Sequence, residues 1–148
     1  MYDVDLTYIT SRGKWYHHSW KGDESKSGGI ATNIGIHFFD MLLWIFGGVK
    51  TNTLEEITKD HASGSLKLER ANVKWFLSIN AEHLPQQAVQ NKKSTYRSLR
   101  IQGKEVEFSE GFTDLHTESY KEILAGRGFG LEDARASIAL THLLRSLP

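Results

Sequence analysis

Three polar side chains recur at helical spacing in an otherwise apolar segment between Ser27 and Gly48. At about 100° per residue, Asn33, His37 and Asp40 fall on one stripe of a predicted helix. An imidazole can accept a proton from a hydroxyl, and an amide or a carboxylate can orient the imidazole or a ligand. Burying these groups without partners costs free energy, so the stripe forms either an internal network or the wall of a site. We favour the site wall.

A basic and aromatic segment directly precedes this helix. Residues 11–27 carry four lysine or arginine side chains against two carboxylates, a local excess of positive charge in a neutral chain. Aromatic faces can stack on sugar or base rings, while cations bind carboxylate or phosphate. The alternative is a solvated loop whose tryptophans pack into the fold. The candidate substrate-binding residues are Arg12, Lys14, Trp15, Tyr16 and Lys21 of this segment, together with Asp40.

Composition limits the possible functions. The 148 residues include 18 basic and 18 acidic side chains and no cysteine, which excludes disulfides and cysteine-based zinc sites and makes nucleic acid an unexpected partner. No metal site is expected at His17 and His18, because adjacent side chains of an extended segment point to opposite sides. The chain begins without a leader pattern, and His37 and Asp40 interrupt the longest apolar stretch. We therefore expect a cytoplasmic protein with no membrane partner.

The elements that hold these residues follow from hydrophobic periodicity. Alternation predicts an N-terminal strand around Val4, strands over 49–58, 65–69 and 73–82, and a hairpin over 97–108. Helical spacing predicts helices from about Gly28 to Phe46, over 116–125 with Asp114 as N-cap, and over 131–146. Loops are expected over 11–26 and 86–94. This pattern predicts one α+β domain, a mainly antiparallel open sheet with helices packed on one face.

The signature of the predicted long helix resembles that of a known family. Gly28-Gly29, Asn33-Ile34-Gly35-Ile36-His37, Asp40 and Trp44 through Gly47 are similar to the helix of the Gfo/Idh/MocA oxidoreductases, whose usual form is Gly-Gly, a spacer, Asp-x-Gly-x-His, two residues and Asp. Asn33 departs from that pattern, which has Asp at this position. Unlike a carboxyl group, an amide can neither hold a proton at neutral pH nor stabilise an imidazolium by charge. The resemblance covers essentially the whole chain.

The resemblance implies that residues 1–148 form the second, C-terminal domain of such an enzyme, a substrate-binding and oligomerisation domain without the N-terminal dinucleotide-binding domain. The one glycine-rich run, Gly126 to Gly130, lies between two predicted helices, whereas a pyrophosphate cradle follows a strand. NAD is therefore expected to bind mainly to the other domain, and the isolated chain is expected to be inactive. The exposed sheet face is expected to form a homo-oligomer.

Within the family, the loop and helix look most like bacterial oxidases of UDP-N-acetylglucosaminuronic acid, which act in lipopolysaccharide O-antigen synthesis. By that resemblance His37 and Asn33 would lie at the reacting 3-hydroxyl, and the basic loop would bind the carboxylate of the nucleotide sugar. Either His37 or a lysine of the other domain would be the base. The alternative is a non-catalytic oligomerisation or sugar-binding module, which the change to Asn33 favours.

Overall fold

A computed structural model describes residues 1–13, 15–110 and 113–146. Within them a six-stranded sheet has the strand order β2-β3-β4-β1-β5-β6, with β1 and β4 parallel and every other neighbouring pair antiparallel. This confirms the predicted α+β class and mainly antiparallel sheet. The strands are β1 (Tyr2–Thr10), β2 (Val49–Ile57), β3 (His61–Leu68), β4 (Ala71–Ser78), β5 (Thr95–Ile101) and β6 (Lys104–Glu107).

Alternation along the central strands separates the two faces of the sheet. In β4, Val73, Trp75 and Leu77 are buried, while Lys74 between them is exposed. Residues two apart in a strand share a face, so these side chains form one apolar layer. The strand predicted over 73–82 ends earlier, at Ser78, because the chain then turns into a short 3-10 helix over Ala81–His83.

The helical elements differ from the prediction in several places. The segment predicted as a loop over 11–26 contains short helical turns, and the loop predicted over 86–94 contains a helix of five residues. Asp114 has a left-handed φ of 60° and makes no side-chain cap. The helices are α1 (Trp15–His18), a 3-10 turn (Trp20–Gly22), α2 (Glu24–Ser27), α3 (Gly29–Asn33), α4 (Gly35–Phe46), α5 (Gln86–Gln90), α6 (Leu115–Leu124) and α7 (Leu131–Arg145).

The predicted helix from Gly28 to Phe46 is wrong as a single element, because the chain breaks at Ile34. Gly35 follows the break and lies hard against the sheet. A Cβ at this position would lie 2.9 Å from Leu77 Cδ1 and 2.7 Å from the ring of Phe39. The backbone of α4 therefore approaches the sheet more closely than a side chain would allow, as expected for a glycine inside a buried helix.

The core lies between one face of the sheet and the helices α3, α4 and α7. Phe39 of α4 and Trp75 of β4 meet edge to face with ring centroids 5.3 Å apart, and both are buried. Leu144 brings α7 into the same cluster. Asn33 at the end of α3 and His37 at the start of α4 are thereby held in place relative to the sheet.

The segment Glu24–Phe46 has a mean hydropathy of 1.4 over its most apolar window and is long and apolar enough to cross a membrane. By length and composition alone, the interruption by His37 and Asp40 therefore does not exclude a membrane span. In the fold the segment is divided into three helices, and it places Phe39 and Leu42 fully inside the core. The most apolar window of the segment is 39% buried within the fold, and helices that belong to a protein core can meet the same criterion of length and composition.

Candidate functional site

A cavity of about 510 Å³ opens beside the start of α4. Its wall is formed by β1, the loop and helical turns that follow β1, the end of α3, α4 up to Met41, β5 and the first residue of α6. It brings together most of the residues that the sequence singled out. Its lining residues are Tyr8, Arg12, Tyr16, Lys21, Asn33, Ile34, His37, Phe38, Met41, Arg97 and Leu115.

His37 lies in the first turn of α4 and is exposed at the edge of this cavity. Among the described residues none forms a hydrogen bond with its imidazole. The interpretation of His37 as a satisfied core histidine therefore does not hold. An imidazole that is open to a cavity and makes no hydrogen bond with the described residues can accept a proton from a bound hydroxyl.

Asn33 is half-buried at the end of α3 and is held in place by Tyr16. Its Nδ2 donates a hydrogen bond to Tyr16 Oη over 3.2 Å. Tyr16 is itself buried, with the rings of Trp15 and His17 packed edge-on against it. Within the described chain no donor reaches Asn33 Oδ1, so this oxygen can accept a hydrogen bond from a ligand hydroxyl.

Among the described lining residues of the cavity there are three cations and no aspartate or glutamate. Arg12 follows β1, and its backbone N–H donates to Ile79 O over 3.1 Å, which ties the start of the loop to the end of β4. Lys21 lies over the ring of Trp20, with its Nζ 5.8 Å from the ring centroid. Positive charge without a compensating carboxylate in the wall favours an anionic ligand.

Arg97 is the third cation, and sequence reasoning missed it together with Tyr8. The two residues face each other in the β1–β5 register, and the guanidinium carbon lies 5.6 Å from the centroid of the Tyr8 ring. Arg97 Nη1 also donates to Ser109 O over 3.3 Å. The sequence signal that could have identified Arg97 is its alternation with Leu99 and Ile101, which places an arginine on the apolar side of a strand. A charge at such a position needs partners or a wet cavity.

The remaining predicted residues lie outside this cavity. Asp40 is exposed and lines a neighbouring groove of about 720 Å³ between α4 and α7, which His37 also borders. No described hydrogen bond joins Asp40 to His37, so Asp40 does not orient the imidazole. Trp15 is more than half exposed and lines neither cavity. Lys14 lies outside the described residues.

A pair of groups with shifted pKa values, Asp60 and His61, lies at the start of β3 beside the end of β4. His61 Nδ1 is 2.8 Å from Asp60 Oδ1, and its Nε2 is 3.3 Å from Glu56. These carboxylates, Asp60 first, raise the pKa of His61, and the hydrogen bond with His61 lowers the pKa of Asp60. The backbone oxygen of Asp60 accepts a hydrogen bond from Ile79, the residue that holds Arg12. The cluster thus supports one wall of the cavity indirectly.

Two kinds of ligand site can be tested against the described residues, a metal cluster and a glycine-rich pyrophosphate cradle. The described part of the chain contains no cluster of three or more histidine or acidic side chains that could bind a metal ion. The glycine-rich run Gly126 to Gly130 connects α6 to α7 and is exposed. A pyrophosphate cradle needs a strand, a tight turn and a helix N-terminus in that order, so this run does not fit one.

Comparisons with known proteins agree with this architecture. Residues 1–69 match the model of the oxidoreductase family's C-terminal alpha/beta domain, the Gfo/Idh/MocA type. The WlbA (WbpB) dehydrogenase from Thermus thermophilus, solved with NAD and α-ketoglutarate, is 56% identical with a TM-score of 0.95. The match covers 99% of this chain and 48% of that one. A second structure of that dehydrogenase, with NAD and UDP-GlcNAcA, is 54% identical over 99% of this chain and 47% of that one, with a TM-score of 0.94.

A dehydrogenase (MviM) from Clostridium difficile shares the fold at 9% identity, with a TM-score of 0.56 over 98% of this chain and 54% of its own. The chain therefore spans about half the length of the proteins that it matches.

Proposed function

Because the chain belongs to the Gfo/Idh/MocA oxidoreductase family, whose C-terminal alpha/beta domain it forms, we propose that it is the substrate-binding half of an NAD-dependent dehydrogenase. The proposed substrate is UDP-N-acetylglucosaminuronic acid, oxidised at its 3-hydroxyl in the synthesis of lipopolysaccharide O-antigen. The observation that supports this proposal most is one cavity whose described lining combines the imidazole of His37, which makes no hydrogen bond with the described residues, with three cations and no carboxylate.

The cavity suits the two kinds of group on such a substrate. Oxidation of a secondary alcohol removes a hydride from carbon and a proton from oxygen. His37, at the rim, is placed to take the proton, and Asn33 Oδ1 can accept a hydrogen bond from a neighbouring hydroxyl. Arg12, Lys21 and Arg97 can bind the sugar carboxylate and the diphosphate through charge-assisted hydrogen bonds.

NAD supplies the hydride acceptor, and we assign its binding to a second domain, because the glycine-rich run between α6 and α7 does not form a cradle. Asn33 favours a relay in which His37 acts without a neighbouring carboxylate. In this relay, His37 takes the proton from the reacting hydroxyl and passes it either to a base on the second domain or to solvent at the open rim of the cavity.

Turnover by the full-length protein tests the proposal. We expect NADH to form with UDP-N-acetylglucosaminuronic acid, and kcat/KM to be at least about tenfold lower with UDP-N-acetylglucosamine, which lacks the carboxylate that the cations bind. Failure of both sugars to reduce NAD would refute the proposed substrate and leave the non-catalytic module as the better interpretation.

A pair of variants on β5 sharpens this test. Arg97→Gln keeps a donor for Ser109 O but removes the charge, so we expect KM for the uronic acid to rise by about tenfold or more with a smaller change in kcat. Arg100→Gln is the matched control, because Arg100 is exposed on the opposite face of the same strand. Equal effects of the two substitutions would show that the cavity does not bind the anion.

We also propose that the outer face of the sheet joins two copies of the chain. The helices α3, α4 and α7 cover only one face, and Asp5, Lys74 and Lys67 lie exposed on the other. Sedimentation of the full-length protein checks this, since Lys74→Glu should shift an oligomer toward monomer. A protein that is monomeric at high concentration would contradict the proposal.

A further inference from the structure

The segment from Thr113 to Gly130, here the α6 arm, stands away from the rest of the fold. It consists of α6 and the turn that leads into α7. Every residue of the arm is exposed except Glu122, and α6 packs against no other helix or strand of the described chain to any appreciable extent.

The arm is locally well formed. Gly126 has a φ of 74°, its N–H donates to Ile123 O, and the N–H of Arg127 donates to Glu122 O, which together make a Schellman motif. Arg127 also forms a bidentate ion pair with Glu122 over 2.7 and 2.9 Å. The end of the helix is thus specified by its own sequence.

The helix is amphipathic, yet its apolar face is uncovered. Leu115, Tyr120, Ile123 and Leu124 lie on one half of α6, and Glu118 and Lys121, which pair over 2.7 Å, lie on the other. Tyr120 is 65% exposed and Leu124 is 87% exposed. A helix of ten residues is marginal in water without packing of its apolar face. The face therefore requires a partner.

The two ends of the arm locate that partner beside His37. At its start, Leu115 lines the cavity that holds His37 and Asn33. At its end, Phe129 lines the groove that His37 shares with Asp40 and Trp44. Phe129 and Trp44 are 85% and 83% exposed, so the apolar surface continues from the arm across the exposed edge of α4.

We propose that the α6 arm, with Trp44 and Phe129, is the docking surface for the dinucleotide-binding domain of the full-length protein. This inference rests on the proposed function, in which a cofactor carried by a second domain must reach His37. The matched proteins are about twice as long as this chain, which provides the length for such a domain. An apolar surface that borders both cavities at His37 would hold that domain where a nicotinamide is needed.

Hydrogen exchange on the full-length protein tests the docking. Tyr120→Gln and Leu124→Gln alter side chains that are mostly exposed within this chain, so neither should unfold it. In the double variant we expect the α6 amides to exchange at least about tenfold faster than in wild type. Amides in a patch of the second domain should also exchange faster. Glu118→Gln, on the opposite face of the same helix, is the matched control and should change neither.

Three outcomes would overturn the inference: unchanged exchange in α6, faster exchange confined to α6, or faster exchange accompanied by dissociation of an oligomer. The last would assign the arm to a second copy of the chain. Binding of UDP-N-acetylglucosaminuronic acid, measured by calorimetry on the same variants, should be unchanged. The exchange experiment needs no turnover, so a wrong substrate assignment would leave its result standing.

Discussion

Replacement of His37 by alanine in the full-length protein separates a proton-transfer role from a structural one. Loss of a positioned general base lowers kcat by about 10²- to 10⁴-fold, or about 2.7 to 5.4 kcal/mol of transition-state stabilisation. The imidazole is exposed and accepts no hydrogen bond from the described residues, so the free energy of unfolding should change by no more than about 0.5 kcal/mol.

Steady-state NADH formation and urea unfolding of the same preparations measure both quantities. KM for the nucleotide sugar should change little, because His37 acts mainly on the reacting hydroxyl. A core histidine would behave in the opposite way, with about 1 to 3 kcal/mol of stability lost and kcat of the folded fraction retained. His37→Gln, which keeps a hydrogen-bonding group but cannot carry the proton, should be as slow as alanine. Near-normal turnover in both variants would refute the assignment.

Asn33→Asp should move the acidic limb of the pH–rate profile to higher pH, because a carboxylate beside His37 favours the imidazolium; an unshifted limb would argue against their proximity in the working enzyme. Gly35→Ala should cost about 1 to 2 kcal/mol in urea unfolding, since its Cβ would lie under 3 Å from Phe39 and Leu77. His61 has a raised pKa in the fold, so its contribution to stability is complete below the ordinary value of about 6.5 and is lost as pH rises through the folded value. The stability difference between wild type and His61→Gln should therefore be larger at about pH 6 than at about pH 9, and stay within about 1 kcal/mol because Glu56 is exposed. The isolated chain should not bind NAD in calorimetry, and micromolar affinity would contradict the placement of the cofactor on a second domain.

Hydrophobic alternation in the sequence was sufficient to predict the strands of the sheet, because buried and exposed residues alternate in β4 as the sequence pattern does. The alternation of Val73, Trp75 and Leu77 with Lys74 is the same in the sequence and in the structure. Strand order was not predicted, because pairing of β1 with β4 and β5 depends on contacts distant in the chain, which periodicity does not encode.

The candidate site was predicted only in part, because some of its residues are distant from one another in the sequence. Asn33 and His37 were found from spacing within one helix, and Arg12, Tyr16 and Lys21 from local composition, and the fold brings all five to one cavity. Asp40 lies one turn further along α4, and the curvature of the helix surface carries it into the neighbouring groove. Tyr8 and Arg97 are far apart in sequence and meet only through the β1–β5 register, so no local signal indicated their proximity.

The central position of β1 also governs how the chain can fold. The β2-β3-β4 meander is built from neighbouring segments and can form early, but β1 pairs with residues about 70 positions later in β4 and about 90 positions later in β5. Closing such long loops costs entropy before any contact repays it, so we infer that insertion of β1 is a late and slow step. Until β1 docks, both β1 and the neighbouring side of β4 lack their backbone hydrogen-bond partners, and an unpaired strand of this kind can pair with another chain instead.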